Sequence, residues 1–234
     1  MEQKPLAVIS GGGGFVGSAM RRNLEKNGWL VISLGRRAGE DDETLVCDIT
    51  NEEQVEDAIE RVVERYGDIS ACIHAATAPT DNKSLLEMDV ESFEVPIRVS
   101  VRGAFLIAKA VVPHMKAGAA FIGITSKLIE PEATLPPTGS YAAAKYGLRG
   151  FLRALSSDAL AQHIRVYAVA PGFLPGGLNR AASEAMIQFL ATRSGIGTST
   201  VEEVADLVQT LCDEKDAYIP RSSISLSPTK ATKL

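Results

Sequence analysis

The chain has 234 residues, enough for one α/β domain with a substantial core. Its net charge is −5 and it has no basic block, so nucleic-acid binding is not indicated. No apolar run approaches the length of a membrane span, and no metal site is predicted. The cysteines, Cys47, Cys72 and Cys212, are odd in number and widely spaced, which indicates free thiols in a reducing compartment. An apolar strand starts almost at the N-terminus and leaves no room for a signal peptide, so we expect a soluble, cytoplasmic protein.

A glycine-rich turn separates the first predicted strand from the first predicted helix. Residues 6–9 form a short apolar run of strand length, and apolar residues recur at helical spacing over residues 15–26. Gly11, Gly14 and Gly17 have the spacing G-x-x-G-x-x-G, which permits a tight turn, close approach of backbone to a pyrophosphate and close helix packing. The first N–H groups of the helix suit an anion. This junction predicts a nucleotide site; the alternative is a flexible glycine loop.

Two arginines follow the second predicted strand, residues 29–34. In a dinucleotide-binding fold the end of this strand faces the adenosine ribose, and an acidic residue there would hold the 2′-hydroxyl. Arg36 and Arg37 stand at this place instead of an acid. Because the planar guanidinium fork suits a 2′-phosphate, the sequence favours NADP(H) over NAD(H). A solvated basic turn is the alternative.

The rest of the chain alternates between strands and helices. We predict strands at residues 44–47, 69–73, 119–124, 166–169 and 224–226, and helices at residues 51–66, 85–95, 97–115, 140–161, 178–192 and 201–212. This pattern predicts an α/β fold, a Rossmann-like doubly wound parallel sheet with helices on both faces. We expect a single domain over residues 1–234, with a movable flap at about residues 172–200. His74 is interpreted as a strand-end histidine bonded to a backbone carbonyl rather than as a catalytic residue.

Tyr141 and Lys145 lie four residues apart, hence on one face of the predicted helix over residues 140–161. Ser126 ends the preceding predicted strand, at the sheet edge where α/β proteins keep their chemistry. A free tyrosine has a pKa near about 10, and a neighbouring ammonium group lowers that pKa, so Tyr141 would exchange a proton with a substrate oxygen. Ser126 would hydrogen-bond the same oxygen.

These motifs, in this order, resemble the short-chain dehydrogenase/reductase family over residues 5 to about 212. Asp48 and the run from Ile164 to Gly172 also fall in the family's order. The resemblance implies hydride transfer between NADP(H) and a carbonyl/alcohol pair, with Ser126, Tyr141 and Lys145 as catalytic residues. It also implies a cofactor contact set: Gly11, Gly14, Phe15, Val16, Gly17, Arg36, Asp48, Ile49, Ala75, Ala76, Tyr141, Lys145, Pro171 and Gly172.

The chain combines features of two branches of this family. The glycine spacing and His74-Ala75-Ala76 resemble the longer, epimerase-type branch, but too few residues follow Gly172 for its C-terminal substrate domain. Ser100 stands where the shorter reductase branch usually has an asparagine that holds a relay water, so we place Ser100 in the catalytic set. An epimerase or dehydratase with tightly held NAD(H), and a non-catalytic nucleotide-binding member, remain alternatives.

The sequence leaves the substrate open. Its pocket should be lined by residues 77–95, 127–139 and 173–197, and few charges stand on the flap. A small-molecule or carrier-tethered carbonyl substrate is therefore compatible with this chain. The resemblance implies a homodimer or homotetramer through the helices near residues 97–115 and 140–161, whose apolar faces are wide enough for a subunit contact.

Overall fold

The computed structural model describes residues 4–38, 42–80, 83–130, 139–192, 196–214 and 223–225. These residues form a seven-stranded parallel sheet with the order β3-β2-β1-β4-β5-β6-β7. The strands are β1 Leu6–Ser10, β2 Leu30–Gly35, β3 Thr44–Val46, β4 Ile69–His74, β5 Met115–Ile124, β6 Arg165–Ala170 and β7 Ser223–Ser225. The helices are α1 Phe15–Lys26, α2 Glu52–Tyr66, α3 Val90–Ile97, α4 Gly103–Val111, α5 Gly139–Asp158, α6 Glu184–Thr192 and α7 Val201–Asp213. The doubly wound fold predicted from the sequence is confirmed.

Both faces of the sheet are covered by helices. Leu6 and Val8 of β1 pack into one apolar layer with α2, α4 and α5. Ala7 and Ile9 pack into a second layer with α1 and α7. All five residues of β1 are buried, because a central parallel strand meets helices on both sides.

Side-chain caps set the first residue of three helices. Asn51, Asp89 and Thr200 each accept a hydrogen bond from the backbone N–H three residues further on, at the starts of α2, α3 and α7. Helix α1 differs, because Gly14 precedes it and makes no side-chain cap, and no acidic residue lies in the first turn. Its N-terminal N–H groups are therefore available to an anion.

The helix predicted over residues 97–115 is wrong at both ends. Helix α3 already begins at Val90 and runs through the five-residue π-helical segment Arg98–Arg102 into α4. Pro96, which lacks an N–H, lies in the turn before this π segment. At the other end Met115 pairs with Ile69 and begins β5. Helix α4 ends at Val111, and the 3₁₀ turn Val112–His114, which contains Pro113, separates it from β5.

The helix predicted over residues 85–95 begins only at Val90, because Asp89 caps it there. The remaining boundaries agree with the predicted ones to within four residues, except in the flap. The helix predicted over residues 178–192 begins only at Glu184, and Gly177–Asn179 forms a 3₁₀ turn instead. Most of the predicted loop over residues 127–139 lies outside the described residues, as does Leu226 of the predicted last strand. The three cysteines are buried free thiols. In the part of the chain that the structure describes, no helix has the length and apolar character needed to cross a membrane.

Candidate active site

The carboxyl ends of four adjacent strands gather the predicted site residues at one edge of the sheet. Ser10 ends β1, His74 ends β4, Ser126 follows β5 and Pro171 follows β6. Since β1, β4, β5 and β6 are neighbours in the sheet, residues far apart in sequence meet here. The structure therefore brings the glycine turn and the Ser-Tyr-Lys residues to the same edge.

The glycine turn is packed so closely that side chains are excluded from it. Gly11 has a φ of 76°, and a Cβ there would stand 2.8 Å from Cα of Ala76. A Cβ on Gly17 would stand 2.1 Å from the carbonyl oxygen of Gly11. Gly13 is different, because a Cβ on it would meet no atom within 4 Å. The turn is thus closely packed at Gly11 and Gly17 and open at Gly13.

The start of α1 fits the pyrophosphate of a dinucleotide. Phe15, Val16 and Gly17 form the uncapped first turn, whose N–H groups carry the positive end of the helix dipole. Gly14 N donates to Gly11 O at 2.9 Å and fixes the turn before the helix. A dinucleotide would be held by these backbone groups, with Ala75 and Ala76 forming the adjacent wall after β4. This assignment of cofactor contacts stays a prediction.

Arg36 follows β2, and Asp48 and Ile49 follow β3, where the adenosine end of a dinucleotide is predicted to bind. Arg36 is exposed directly after β2. The Asp48 carboxylate accepts hydrogen bonds from the backbone N and the hydroxyl of Thr50, at 2.9 and 2.8 Å. The Thr50 N–H chiefly holds the pKa of Asp48 below its usual value, and the Arg36 charge acts in the same direction. Ile49 is buried and packs on Gly103, so its side chain belongs to the core.

Ser126, Tyr141 and Lys145 meet at the end of β5. Ser126 forms a hydrogen bond with Tyr141, which is half-buried on α5. The Lys145 ammonium lies 5.5 Å from the centroid of the Tyr141 ring. It also donates a hydrogen bond of 2.8 Å to the carbonyl oxygen of Ile124, the last residue of β5. The strand end thus holds the lysine, while the serine contacts the tyrosine hydroxyl.

The electrostatics of the tyrosine differ from the sequence-based expectation. Burial raises the pKa of Tyr141, and the hydrogen bond from Ser126 opposes this shift without reversing it. Burial also lowers the pKa of Lys145 to about 8. The expected lowering of the tyrosine pKa is absent because burial outweighs the hydrogen bond from Ser126. The raised pKa holds the proton on the Tyr141 hydroxyl and by itself makes the tyrosine a weaker acid.

His74 and Ser100 are completely buried beside this group. Nδ1 of His74 lies 2.9 Å from the hydroxyl of Ser10, its register partner on β1. The interpretation of His74 as bonded to a backbone carbonyl is confirmed by hydrogen bonds with the backbone of Val99 and Ser100, and cross-strand pairing adds the Ser10 side chain at Nδ1. Ser100 lies in the π segment between α3 and α4. Sequence reasoning gave no signal for the Ser10–His74 pair.

A short stretch of backbone hydrogen bonds after β6 joins the two ends of the predicted flap. Pro171 and Gly172 are buried, and Gly172 N donates to the Ser199 hydroxyl at 3.1 Å. Phe173 N donates to Gly197 O at 2.7 Å, and Ser199 N donates to Phe173 O at 2.9 Å. Sequence reasoning missed Ser199, since nothing near it in the chain marks the partnership.

The flap also contacts the start of α1. A Cβ on Gly176 would stand 2.6 Å from the Phe15 ring, and one on Gly177 would stand 2.8 Å from Phe15 Cβ. Both glycines have positive φ values, of 124° and 56°. Phe15, assigned to the cofactor contacts by resemblance, therefore also supports the segment that follows β6. This contact requires two residues without side chains.

Comparison with known proteins identifies the family of the chain. The family model described as enoyl-(acyl carrier protein) reductase matches residues 22–225. The chain therefore belongs to this family, within the short-chain dehydrogenases/reductases. A 3-oxoacyl-[acyl-carrier-protein] reductase of Pseudomonas aeruginosa is 27% identical over 96% of this chain and 96% of its own.

Further relatives agree with that membership. Carbonyl reductase family member 4 of Danio rerio is 30% identical, over 72% of this chain and 75% of its own. Among solved structures, a short-chain dehydrogenase of Burkholderia cenocepacia in complex with NADP has a TM-score of 0.85. It is 20% identical and the match covers 96% of each chain, so this likeness supports the fold alone.

Proposed function

We propose that the protein is an NADP(H)-dependent oxidoreductase that transfers a hydride between the nicotinamide and a carbonyl/alcohol substrate. The observation that carries this proposal is the meeting of Ser126, Tyr141 and Lys145 at the end of β5, beside the glycine turn. Relatives named as 3-oxoacyl and carbonyl reductases support it.

The chain's own residues supply the proton and the orientation, while the bound cofactor supplies the hydride. During reduction the substrate oxygen gains negative charge, accepts a hydrogen bond from Ser126 and takes the hydroxyl proton of Tyr141. The phenolate that remains is stabilised by the ammonium of Lys145. Because burial raises the pKa of Tyr141, its hydroxyl carries the proton that the reduction consumes. Oxidation of an alcohol reverses each transfer.

NADP(H) is proposed rather than NAD(H) because of Arg36. Its guanidinium is exposed after β2 and provides a fork for a 2′-phosphate. Asp48 is engaged by Thr50 and lies after the next strand, β3. Solved structures of similar fold contain NADPH, NADP or NADH, so the fold accommodates either form of the cofactor. The preference for NADP(H) is therefore proposed from Arg36.

A 3-oxoacyl thioester, either small or carrier-tethered, is the proposed substrate class. The turn and helix after β6 present exposed apolar side chains at Leu178, Met186 and Phe189, which suit an acyl chain. We propose that this segment, about residues 172–200, acts as the flap of a single domain. A homodimer or homotetramer through α4 and α5 is supported by exposed Phe105 and Tyr146 on these helices.

The test is NADPH oxidation with four probes: acetoacetyl-coenzyme A, an aliphatic ketone, a quinone and a 2-enoyl thioester. We expect the first to be reduced fastest, and NADH to support less turnover than NADPH. Tyr141→Phe is the control, because it removes only the hydroxyl. Exclusive reduction of the enoyl thioester would replace the carbonyl assignment by carbon–carbon double-bond reduction. Undiminished ketone reduction by Tyr141→Phe would disprove the proposed acid.

A further inference from the structure

Two consecutive glycines of the predicted flap lie along the aromatic ring of Phe15. A Cβ on Gly176 would stand 2.6 Å from Cζ at the tip of the ring, and 3.0 and 3.1 Å from Cε1 and Cε2. A Cβ on Gly177 would stand 2.8 Å from Cβ of Phe15 and 2.9 Å from its Cγ and Cδ1. The flap backbone therefore covers the side chain from its base to its tip, and a side chain at either glycine would disturb the contact.

The segment that carries these glycines, residues 173–180 (the flap turn), is shaped by its own hydrogen bonds. The backbone N–H of Asn179 donates to the carbonyl of Gly176 at 2.8 Å, and its side-chain amide donates to the carbonyl of Leu174 at 3.0 Å. Leu174 also packs against the apolar layer that contains α1 and α7. The φ values of Gly176 and Gly177 are 124° and 56°, which favour glycine. The flap turn therefore has a defined shape that the chain itself supplies.

Phe15 is also the first residue of the helix whose uncapped N–H groups form the predicted pyrophosphate site. It is 42% exposed, so it lies at the surface and belongs to neither apolar layer of the core. The flap turn thus rests on a residue at the edge of that site. A dinucleotide bound to the N–H groups of α1 would lie next to this contact.

We propose that Phe15 is a positioning residue that holds the flap turn closed on the start of α1 before a dinucleotide binds, so that opening of this contact limits both the entry and the release of NADPH. This inference rests on the proposed oxidoreductase function. The ring acts only through the flap turn, while the Phe15 N–H belongs to the predicted pyrophosphate site. A closed flap lengthens the residence time of the cofactor, because release must wait until the flap opens.

The rates of NADPH binding and release distinguish this role from an ordinary contact with the cofactor. Phe15→Ala removes the ring, and we expect the association rate constant kon and the release rate constant koff each to rise about tenfold in stopped-flow fluorescence of the nicotinamide. Phe15→Leu retains an apolar side chain and should change each rate by less than about threefold. A ring that touched the cofactor itself would affect koff alone. A rise of koff with unchanged kon, or no change in either rate, would therefore overturn the inference.

Gly176→Ala disturbs the same contact from the side of the flap. Its methyl group meets the ring of Phe15, and we expect kon and koff to rise about as far as in Phe15→Ala. Because both substitutions break one contact, the double variant should exchange NADPH no faster than the faster single variant. Effects that multiply in the double variant would show two independent causes and would overturn the inference.

Gly28→Ala is the matched control for the backbone strain that alanine introduces. Gly28 also has a positive φ, of 87°, but a Cβ there would meet no atom within 4 Å. We expect this variant to have a lower melting temperature and unchanged rates of NADPH binding and release. An equal acceleration in Gly28→Ala would attribute the effect of Gly176→Ala to strain and refute the contact. If Gly176→Ala does not fold, the paired change of kon and koff in Phe15→Ala decides alone.

Hydrogen exchange without cofactor tests the contact in the free protein. The Asn179 N–H is bonded within the flap turn, so its exchange reports how often the turn opens. We expect a peptide over residues 173–180 to exchange at least about threefold faster in Phe15→Ala than in the wild type, with unchanged exchange in β1. Equal exchange in the two proteins would contradict the proposed closure. If the wild type binds no NADPH, the proposed cofactor assignment fails, while this measurement still decides whether Phe15 holds the flap turn.

Discussion

Gly17→Ala is the substitution whose effect the structure defines most sharply. A Cβ at Gly17 would stand 2.1 Å from the carbonyl oxygen of Gly11 and 2.9 Å from Cα of Gly12, and both are backbone atoms. Ordinary contact starts near 3.4 Å, so the start of α1 must move away by more than 1 Å. Overpacking of this kind costs about 1–3 kcal/mol, or a loss of roughly 3–10 °C in melting temperature.

The same displacement carries the N-terminal N–H groups of α1 away from a bound pyrophosphate. We expect the Kd for NADPH to rise at least about tenfold, equivalent to about 1.4 kcal/mol. Thermal unfolding by circular dichroism and fluorescence titration with NADPH measure the two effects separately.

Gly13→Ala is the matched control in the same turn. A Cβ at Gly13 has no neighbour within 4 Å, and the φ of Gly13 is not positive. We expect its melting temperature to equal or slightly exceed the wild-type value, because alanine restricts the unfolded chain. Equal melting temperatures for Gly17→Ala and Gly13→Ala would refute the steric reasoning.

Four further substitutions test the site. Tyr141→Phe should lower kcat at least about 10²-fold while NADPH still binds, and near wild-type turnover would remove Tyr141 from the mechanism. Arg36→Asp should weaken NADPH binding and improve NADH binding; tighter binding of NADH than NADPH by the wild type would contradict the cofactor assignment. The folded-state pKa of Lys145, about 8, lies below its ordinary value of 10.5, so burial of the charged lysine lowers the stability of the protein. This loss of stability disappears as the pH rises from the folded-state pKa to the ordinary one. The stability gain of Lys145→Met over wild type should thus shrink across this interval, and a constant difference would show that the lysine is not desolvated. Ser199→Ala leaves the buried N–H of Gly172 unpaired and should cost about 1–3 kcal/mol in chemical denaturation, whereas no loss would show that the flap base does not need this bond.

The sequence by itself determined the features that depend on neighbouring residues. The apolar run of β1, the helical spacing of α1 and the glycines between them are local patterns. Each of these elements forms at the residues that carry its pattern. Tyr141 and Lys145 share a face because a helix repeats every 3.6 residues. Their proximity was therefore predictable before the fold was known.

Only the tertiary structure decided the features that join distant parts of the chain. Met115 begins a strand because it pairs with Ile69, although an apolar helix precedes it. His74 bonds to Ser10 because β4 lies beside β1 in register. The pKa of Tyr141 rises rather than falls because the surrounding fold buries the tyrosine, and burial outweighs the hydrogen bond from Ser126. Hydrogen bonds and desolvation act through space, and a linear pattern does not contain those distances.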